Sequence, residues 1–335
     1  MWKNLLSVLA CPECHCELEC HTKNVGTDGD VLSGSLKCIA CSHEFPIIGG
    51  IPRFIPANNY AESFGYQWNR FRALQIDAEN RTRLSEDRFL SETGWTLDSM
   101  AGKWLVDIGC GAGRFLEVAS RGSAEVVGLD LSSAVDAARR TVSGRRNVHI
   151  VQASMYALPL RPGSFDCCYC IGVLQHTPDP LRALRSLPQL LKPSGQIAVT
   201  IYERRKWTLC NGKYLIRRIT RHLPERVLLT LITVGMPIAF PITELLFRLP
   251  GLGRLFKFMI PIANYVDNPR LTLRERYRWA LMDTFDMLAP YYDQPMIQSE
   301  AETALTDGGI VARRLSNPGL NLVGEKGTAI ELVRA

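Results

Sequence analysis

The sequence begins without the pattern of a secretory leader, because Met1 to Cys14 contain neither a sufficient apolar run nor a cleavage site. It also has no long low-complexity stretch. Only 21% of its residues are charged and 46% are hydrophobic, which excludes wholesale disorder. A chain of 335 residues with this composition can form an α/β domain of ordinary size and a smaller module. The net charge of +6 permits a phosphate-bearing partner or an anionic surface without requiring one.

The cysteines are few outside one short region. Six of the eleven lie within residues 11–41, and the others fall in segments that we interpret as buried strands or loops. An odd number of cysteines without a leader is typical of a reducing compartment and one metal site, not of a disulfide framework. We therefore expect a cytoplasmic protein, with any membrane contact at the inner face.

Two Cys-x-x-Cys pairs, separated by 23 residues, predict a zinc site. Each pair can form a knuckle that presents two thiolates to one ion, and Zn²⁺ prefers four such ligands in a closed, structural site. The predicted ligands are Cys11, Cys14, Cys38 and Cys41. We interpret the neighbouring His15, Cys16, Cys20 and His43 as bystanders. A register swap to Cys16 and an iron–sulfur cluster are the competing interpretations.

The residues after the second Cys-x-x-Cys pair point to one protein family. Phe45-Pro46-Ile47 and Gly50-Ile51-Pro52 follow the cysteines at once. This series resembles the zinc-ribbon activator subunit that partners tRNA and release-factor methyltransferases. The resemblance implies a ribbon over residues 1–58 that stabilises a catalytic partner, here in cis. Recruitment of a substrate is the alternative role.

A glycine-rich turn marks the start of the larger domain. Residues 103–109 are predicted to form a buried strand, and Gly109 to Gly113 then open a helix. A second strand ends at Asp130, where a carboxylate can accept hydrogen bonds from both hydroxyls of a ribose. The pattern Asp-x-Gly-x-Gly-x-Gly differs from the Gly-x-Gly-x-x-Gly of nicotinamide enzymes. The carboxylate of Asp107 suits an ammonium-bearing ligand and would repel a pyrophosphate.

Further strands are predicted at 148–152, 165–170 and 196–201, with helices between them. This alternation predicts an α/β fold with a doubly wound, mostly parallel sheet, whose ligands bind at the carboxyl ends of the strands. Over about residues 100–204 the series resembles the class I S-adenosylmethionine-dependent methyltransferases, most closely the quinone-biosynthesis branch. That resemblance implies seven strands and S-adenosylmethionine as the cofactor.

The resemblance also implies a set of cofactor-binding residues. The methionine end is expected at Asp107, Gly109, Cys110, Gly111 and Gly113. Asp130 is expected to hold the ribose, and Ser154 and Met155 to flank the adenine. Leu131 and Ile171 are further cofactor-binding candidates. Ser154 stands where the family usually has an Asp. The segment 59–99 is expected to close as a lid, with Tyr66, Gln67 and Trp68 touching ligand; the alternative is a helix packed on the ribbon.

Methyl transfer from a sulfonium is a direct displacement, so a strong base is not obligatory. His176 is the candidate base because it follows the fourth strand and can titrate near neutrality. The sequence lacks the Asn/Asp-Pro-Pro-Tyr/Phe segment used on exocyclic or amide nitrogens; Cys170 to Val173 stand there instead. An oxygen, carbon or small amine of a small-molecule, sugar or lipid-linked acceptor is therefore expected.

Residues 205–295 are expected to form a helical cap over the acceptor, and residues 296–335 to complete the sheet. Asp283 and Tyr291 are candidates for the acceptor pocket, because residues 279–293 loosely resemble a segment that borders this pocket in methyltransferases of surface-sugar and secondary-metabolite gene sets. Tyr66 of the lid segment is a third candidate. Val227 to Thr243 carry no charge, but Pro237 and Pro241 make a helical membrane span improbable. The alternatives for 205–262 are a buried cap and a basic, interfacial surface for peripheral membrane contact.

Two other functions remain open at this point. An RNA methyltransferase that recruits rRNA or tRNA through the ribbon is permitted by the positive charge, although RNA surfaces usually need a denser basic face. A non-catalytic, cofactor-binding scaffold is the second. The intact acidic and glycine positions argue against it.

Overall fold

The computed structural model describes residues 1–55 and 59–327. Its N-terminal part holds a four-stranded antiparallel sheet in the order β1–β2–β3–β4. These strands are Leu18–Val25, Val31–Cys38, Glu44–Ile48 and Ile51–Pro52. The hairpin between β1 and β2 turns through Gly29, which has a φ of 88°, and the two cysteine knuckles flank the sheet.

A seven-stranded sheet forms the centre of the larger domain, in the order β10–β11–β9–β8–β5–β6–β7. The five strands β5 to β9 run parallel, whereas β11 is antiparallel to both β9 and β10. The predicted fold class, a mostly parallel seven-stranded methyltransferase-type sheet with a small N-terminal module, is confirmed. The strands are β5 Trp104–Ile108, β6 Glu125–Asp130, β7 Val148–Gln152, β8 Phe165–Ile171, β9 Leu191–Ile201, β10 Ile310–Arg314 and β11 Leu320–Lys326.

Eleven α-helices lie within the described ranges. They are α1 Glu62–Phe71, α2 Asp77–Asn80, α3 Leu84–Thr93, α4 Arg114–Ala119, α5 Ala134–Thr141, α6 Pro180–Ser186, α7 Gly212–Thr220, α8 Glu225–Phe247, α9 Gly253–Met259, α10 Leu273–Leu288 and α11 Gln298–Thr306. Local chemistry starts α10, where Thr272 and Glu275 form a reciprocal capping box. The edge strand predicted for residues 328–333 lies outside the described residues.

The ribbon and the larger domain share one hydrophobic core. Leu9 and Leu36 of the ribbon belong to the same buried cluster as Val106 and Val127 of the sheet. Backbone bonds reinforce the contact: the Ala10 N–H donates to the Pro159 carbonyl at 3.0 Å, and other ribbon residues pair with the β7 edge. The ribbon residues named here have no hydrophobic core separate from that of the sheet. Loss of order in the ribbon therefore removes packing from the larger domain, and the reverse also holds.

The expectation that two prolines interrupt the apolar segment is wrong. Helix α8 is continuous for 23 residues through Pro237 and Pro241, and it is the one described helix long and apolar enough to cross a membrane. A proline inside a helix costs about 3 kcal/mol because it removes a backbone bond. Packing of Met236 and Phe240 against Ala280 of α10 holds both halves in line and offsets this cost.

Candidate cofactor and acceptor site

A cavity of about 570 Å³ opens where the carboxyl ends of β5, β6, β7 and β8 meet. This volume falls within the range of small-molecule sites. The turn after β5, the end of β6 and the segment after β8 supply one side of the wall, and helices α1, α3 and α10 supply the other. One cavity therefore brings together residues from distant parts of the chain.

The glycine turn brings backbone, not side chains, to the cavity. Gly109 and Gly111 line it with φ values of 85° and 51°, a region that side-chain-bearing residues rarely adopt. A β-carbon on Gly109 would lie 2.5 Å from both γ-carbons of Val173, and one on Gly111 would lie 3.2 Å from Nε1 of Trp68. Gly113 lies outside the wall, at the start of α4. It packs against Ala138 of α5.

Asp130 lies in the cavity wall and closes the glycine turn. Its Oδ2 accepts the Gly111 N–H at 2.9 Å, while Oδ1 accepts both the N–H and the hydroxyl of Ser132 at 2.8 and 2.7 Å. Burial raises its pKa, and the Ser132 hydrogen bonds oppose that rise. A carboxylate has about four acceptor positions. One remains on Oδ2, so one ribose hydroxyl can bind without displacing Ser132.

Asp107 lies behind the turn and not in the wall. It is 2% exposed, and its Oδ2 has no hydrogen-bond partner in the part of the chain that the structure describes. Burial, and then repulsion from Asp130, raise the pKa of Asp107 well above its usual range. A buried carboxylate oxygen without a donor marks a place where a donor is missing. Two donors suit that place: the buried Tyr169 hydroxyl, which also lacks a partner and opposes the rise in the pKa of Asp107, and an ammonium that reaches Oδ2 through a water molecule.

The other predicted cofactor residues divide into two groups. Those that line the cavity are Cys110, Leu131, Met155 and Ile171. Ser154 and Gln67 do not. The Ser154 hydroxyl accepts the N–H of Tyr156 at 3.2 Å, and the Gln67 amide, 1% exposed, donates to Oδ1 of Asp286 at 3.0 Å. Gln67 therefore positions a wall residue and is not part of the wall.

Helix α1 does contribute to the cavity, through Phe64 and Trp68. The helix packs on α5 and α10 and not on the ribbon sheet. Tyr66 points away from the cavity wall, into a cluster with Phe285 whose ring centroid lies 6.0 Å away. Two of the eight residues from Phe64 to Phe71 thus meet the space that a ligand would occupy.

His176 lies in the cavity wall, in the segment that follows β8. Its Nδ1 donates to the Tyr292 carbonyl at 3.1 Å, because a carbonyl can only accept, so a neutral ring carries its lone pair on Nε2. No residue in the described ranges bonds to Nε2. Burial lowers the pKa of His176, while the carboxylates of Asp286 and Asp293 oppose this. The ring is therefore neutral near pH 7 and can accept a proton.

Two carboxyl groups of α10 face the same cavity, Asp283 and Asp286, spaced by one helical turn. Burial and then Asp286 raise the pKa of Asp283 to about 8, while Arg114 and Arg88 oppose the rise. Tyr291, predicted as a pocket residue, is instead 46% exposed and lies outside the wall, where its ring meets that of Tyr292 edge to face.

Two arginines in the wall were not found from the sequence. Arg114 is half-buried, donates to the Ser85 hydroxyl and the Gln75 amide oxygen at 2.9 and 3.0 Å, and has a pKa lowered by desolvation to about 9. Arg88 pairs with Glu92 at 2.8 Å. Both come from helices that ordinarily carry exposed arginines, and no spacing in the sequence distinguishes them. Other wall residues missed in this way are Tyr60, Tyr202, Tyr265, Trp279 and Met287.

The four predicted zinc ligands form one cluster. Their Sγ atoms all lie within 4.8 Å of one another, with separations of 3.6 Å for Cys11–Cys41 and 3.4 Å for both Cys14–Cys38 and Cys14–Cys41. A tetrahedron with metal–sulfur bonds of about 2.3 Å requires separations of roughly 3.8 Å. The donor set and its geometry therefore fit Zn²⁺. Backbone N–H groups of Cys41 and Ala40 lower the pKa of Cys38 to about 6.

Comparisons with known proteins agree with this division of the chain. Residues 106–199 match the family model described as "Methyltransferase domain", and residues 3–50 match the one described as "Trm112p-like protein". The chain joins a Trm112p-like module to a methyltransferase domain. The first match covers β5 to most of β9, which includes the glycine turn, Asp130 and His176. The second covers all four cysteines.

Curated relatives match the methyltransferase domain and not the whole chain. A ubiquinone biosynthesis O-methyltransferase of Xanthomonas campestris pv. campestris is 33% identical over 130 residues, which are 38% of this chain and 54% of the relative. Its counterpart from Pseudomonas paraeruginosa is 29% identical over 129 residues, 36% and 56% of the two chains. The chain thus spans about half the length of the curated relatives it matches.

A solved structure with a related architecture is a complex that contains the Haloferax volcanii Trm112 methyltransferase activator. It is 13% identical, with a TM-score of 0.44, and the match covers 79% of this chain and 98% of that chain. A likeness at this level carries no weight for function.

Proposed function

We propose that this protein transfers a methyl group from S-adenosylmethionine to an oxygen, carbon or amine of a small-molecule acceptor. One observation carries the proposal: the glycine turn and Asp130 of the methyltransferase domain share a single cavity with His176 and Asp283. Cofactor and acceptor groups must lie within bonding distance for a direct displacement, and a shared cavity permits this.

Different residues of the cavity have different roles in this proposal. When bound, S-adenosylmethionine supplies a methyl group on a positively charged sulfur. Gly109 and Gly111 would allow backbone to approach the ligand closely, Asp130 would accept a ribose hydroxyl, and Asp107, behind the turn, would offer its unpaired Oδ2 to the ammonium group through a water molecule. Phe64, Tyr202 and Trp279 exclude water around the acceptor.

His176 removes the proton of a hydroxyl acceptor. A hydroxyl acceptor would give its proton to Nε2 as its oxygen takes up the methyl group that bound S-adenosylmethionine would supply. The hydrogen bond from Nδ1 to the Tyr292 carbonyl fixes the tautomer that this step needs. The imidazole is thus used as a neutral base.

Replacement of His176 by Gln tests this role. General base catalysis contributes about 10²–10⁴-fold, so we expect kcat to fall within that range, with the Kd for S-adenosylmethionine changed less than about twofold. His222→Gln is the matched control, since His222 is exposed and lies outside the wall. Equal kcat values for the two variants would show that the protein aligns its acceptor without a base at this position.

The raised pKa of Asp283 predicts a pH-dependent stability. Between its unfolded value of about 4 and its folded value of about 8, the unfolded chain loses this proton and the folded chain keeps it. The stabilising contribution is therefore complete below pH 4 and is lost as pH rises through 8. We expect Asp283→Asn to gain stability relative to the natural chain from pH 5 to 8, by at most about 5 kcal/mol.

Urea unfolding at several pH values measures this difference. Asp98→Asn, at an exposed position, is the control and should show no such trend. A difference between Asp283→Asn and the natural chain that stays constant from pH 5 to 9 would contradict the protonation of Asp283.

An RNA acceptor is the second candidate, and the Trm112p-like match favours it. The ribbon would then recruit RNA in addition to stabilising the fold. The basic segment of the cap is interrupted by Val227 to Thr243, which carry no charge, and this is unlike the dense basic face of an RNA-binding surface. The small-molecule acceptor is therefore preferred.

We further propose that the cluster of Cys11, Cys14, Cys38 and Cys41 holds a structural Zn²⁺. The site is closed by four thiolates and leaves no position for a substrate. Zinc would fix the two knuckles against the core that the ribbon shares with the sheet. Stabilisation in cis follows from this arrangement.

A further inference from the structure

Helix α8 exposes an apolar stripe along its whole length. Its outward residues recur every three or four positions, the spacing of one helical face. They include Leu231, Val234, Ile238 and Leu245, which are 59 to 72% exposed. Exposed apolar residues on α7 and α9 continue the surface. This apolar face consists of Leu215, Ile216, Ile219, Val227, Leu231, Val234, Ile238, Ile242, Leu245, Leu252, Leu255 and Met259.

A surface of this size on a soluble monomer requires an occupant. The opposite side of α8 is already covered, because Leu228 and Phe240 pack against α10. Helix α8 is therefore apolar all round, yet only 28% of its most apolar window is buried. A helix of that composition belongs in a core or in contact with lipid.

The charge of the residues around the apolar face indicates which kind of partner can cover it. Residues 204–262 contain eleven Lys or Arg and two Asp or Glu, a net charge of +9, whereas the whole chain carries +6 and its remainder −3. Of the two acids, Glu244 pairs with Arg276 and Arg248, and Glu225 lies in the first turn of α8. Acids outside the segment pair with some of its cations, such as Lys213 with Asp293, but the surface keeps a positive excess, so a second copy would bring two positive surfaces together, which is repulsive.

Several of these cations have no counter-ion. Arg218, Arg226 and Arg254 are exposed beside the apolar face and form no ion pair in the described part of the chain. Unpaired arginines around a large apolar patch complement an anionic bilayer, whose headgroups attract cations while its acyl region accepts the apolar side chains.

A transmembrane orientation conflicts with the contacts that hold α8 in the fold. Glu244 pairs with Arg276 of α10, and the Asn264 amide donates to the Thr243 hydroxyl at 2.8 Å. Insertion across a bilayer would break these polar contacts and expose the buried side of α10. Contact in the plane of the interface leaves them intact.

We infer that the apolar face lies on an anionic lipid bilayer, with α8 in the plane of the interface. A crevice of about 550 Å³ begins at Phe247 and Lys257 beside this face, and Tyr265 lines both that crevice and the main cavity. The crevice therefore adjoins the main cavity, and it is the path that a molecule held in the bilayer would take to the acceptor side. The acceptor is then amphipathic, with an apolar tail. This last step rests on the proposed function, whereas the docking itself does not.

Vesicle flotation of the full chain tests the docking. At low salt, about tenfold more protein should float with phosphatidylcholine–phosphatidylglycerol vesicles than with phosphatidylcholine alone, and high salt should reduce the excess. The double variant Leu231→Glu, Ile238→Glu should lose flotation by about tenfold or more. Val311→Glu, at a position 79% exposed on β10, is the matched control and should float like the natural chain.

The melting temperature and S-adenosylmethionine binding of the double variant should stay unchanged, because both positions are exposed. Flotation of the double variant equal to that of the natural chain overturns the inference. So does a natural chain that never floats but forms dimers, or binds an acidic protein, through the same residues. Flotation needs no methyl transfer, so a protein that floats without binding the cofactor refutes the proposed function alone.

Discussion

The Gly109→Ala variant should bind S-adenosylmethionine at least about a hundredfold more weakly than the natural chain, a loss of roughly 2.7 kcal/mol. Gly109 has a φ of 85°, and a β-carbon there would lie 2.5 Å from both methyl groups of Val173. Relief of this overlap must move the backbone that carries Gly111 and its N–H bond to Asp130. Titration calorimetry of the purified variant measures the effect.

The Gly144→Ala variant is the control that separates backbone strain from steric overlap with neighbouring atoms. Gly144 has a φ of 80°, and a β-carbon there would meet no atom within 4 Å. The backbone strain of the two variants is thus similar, about 1–2 kcal/mol in stability, but only one disturbs the cavity. Equal cofactor affinity in the two variants would show that the glycine turn does not form the binding site.

The Cys38→Ser variant should lose its zinc and destabilise the whole chain. Structural zinc contributes about 10–16 kcal/mol of apparent binding free energy in small domains. Because Leu9 and Leu36 share a core with Val106 and Val127, the loss should reach the methyltransferase domain. We expect the melting temperature of the whole protein to fall by about 10 °C or more, with S-adenosylmethionine binding weakened.

Cys20→Ser is the control within the same ribbon. Cys20 lies outside the four-thiolate cluster and at the margin of the shared core, and its thiol lies 3.8 Å from the Thr22 hydroxyl. This variant should keep one zinc per chain and a natural melting temperature. If zinc loss in Cys38→Ser left the methyltransferase domain as stable as before and still able to bind the cofactor, the ribbon would serve recruitment and not stabilisation.

The sequence predicted those parts of the site that depend on local geometry. A glycine turn needs positive φ values, so its residues are visible as glycines, and the acid at the end of β6 has a fixed place after its strand. Two Cys-x-x-Cys pairs likewise encode their own geometry. These features required no knowledge of how distant segments pack.

Other parts of the site depend on packing that no local pattern encodes. Arg114 enters the wall because Ser85 and Gln75, from the preceding helices, hold its guanidinium. Gln67 was predicted to touch the ligand but lies outside the wall, because its amide donates a hydrogen bond to Asp286, more than two hundred residues away. The two prolines of α8 wrongly suggested a break in the helix. Packing on α10 offsets their cost in free energy, and the sequence does not show that packing.

The most direct test incubates the purified chain with methyl-labelled S-adenosylmethionine and an extract of its own cells, followed by separation into lipid, small-molecule, RNA and protein fractions. The account predicts label in the lipid or small-molecule fraction, and none there with the Gly109→Ala variant. Label in RNA would contradict the proposed acceptor, and absence of label from every fraction, together with no cofactor binding, would contradict methyl transfer itself.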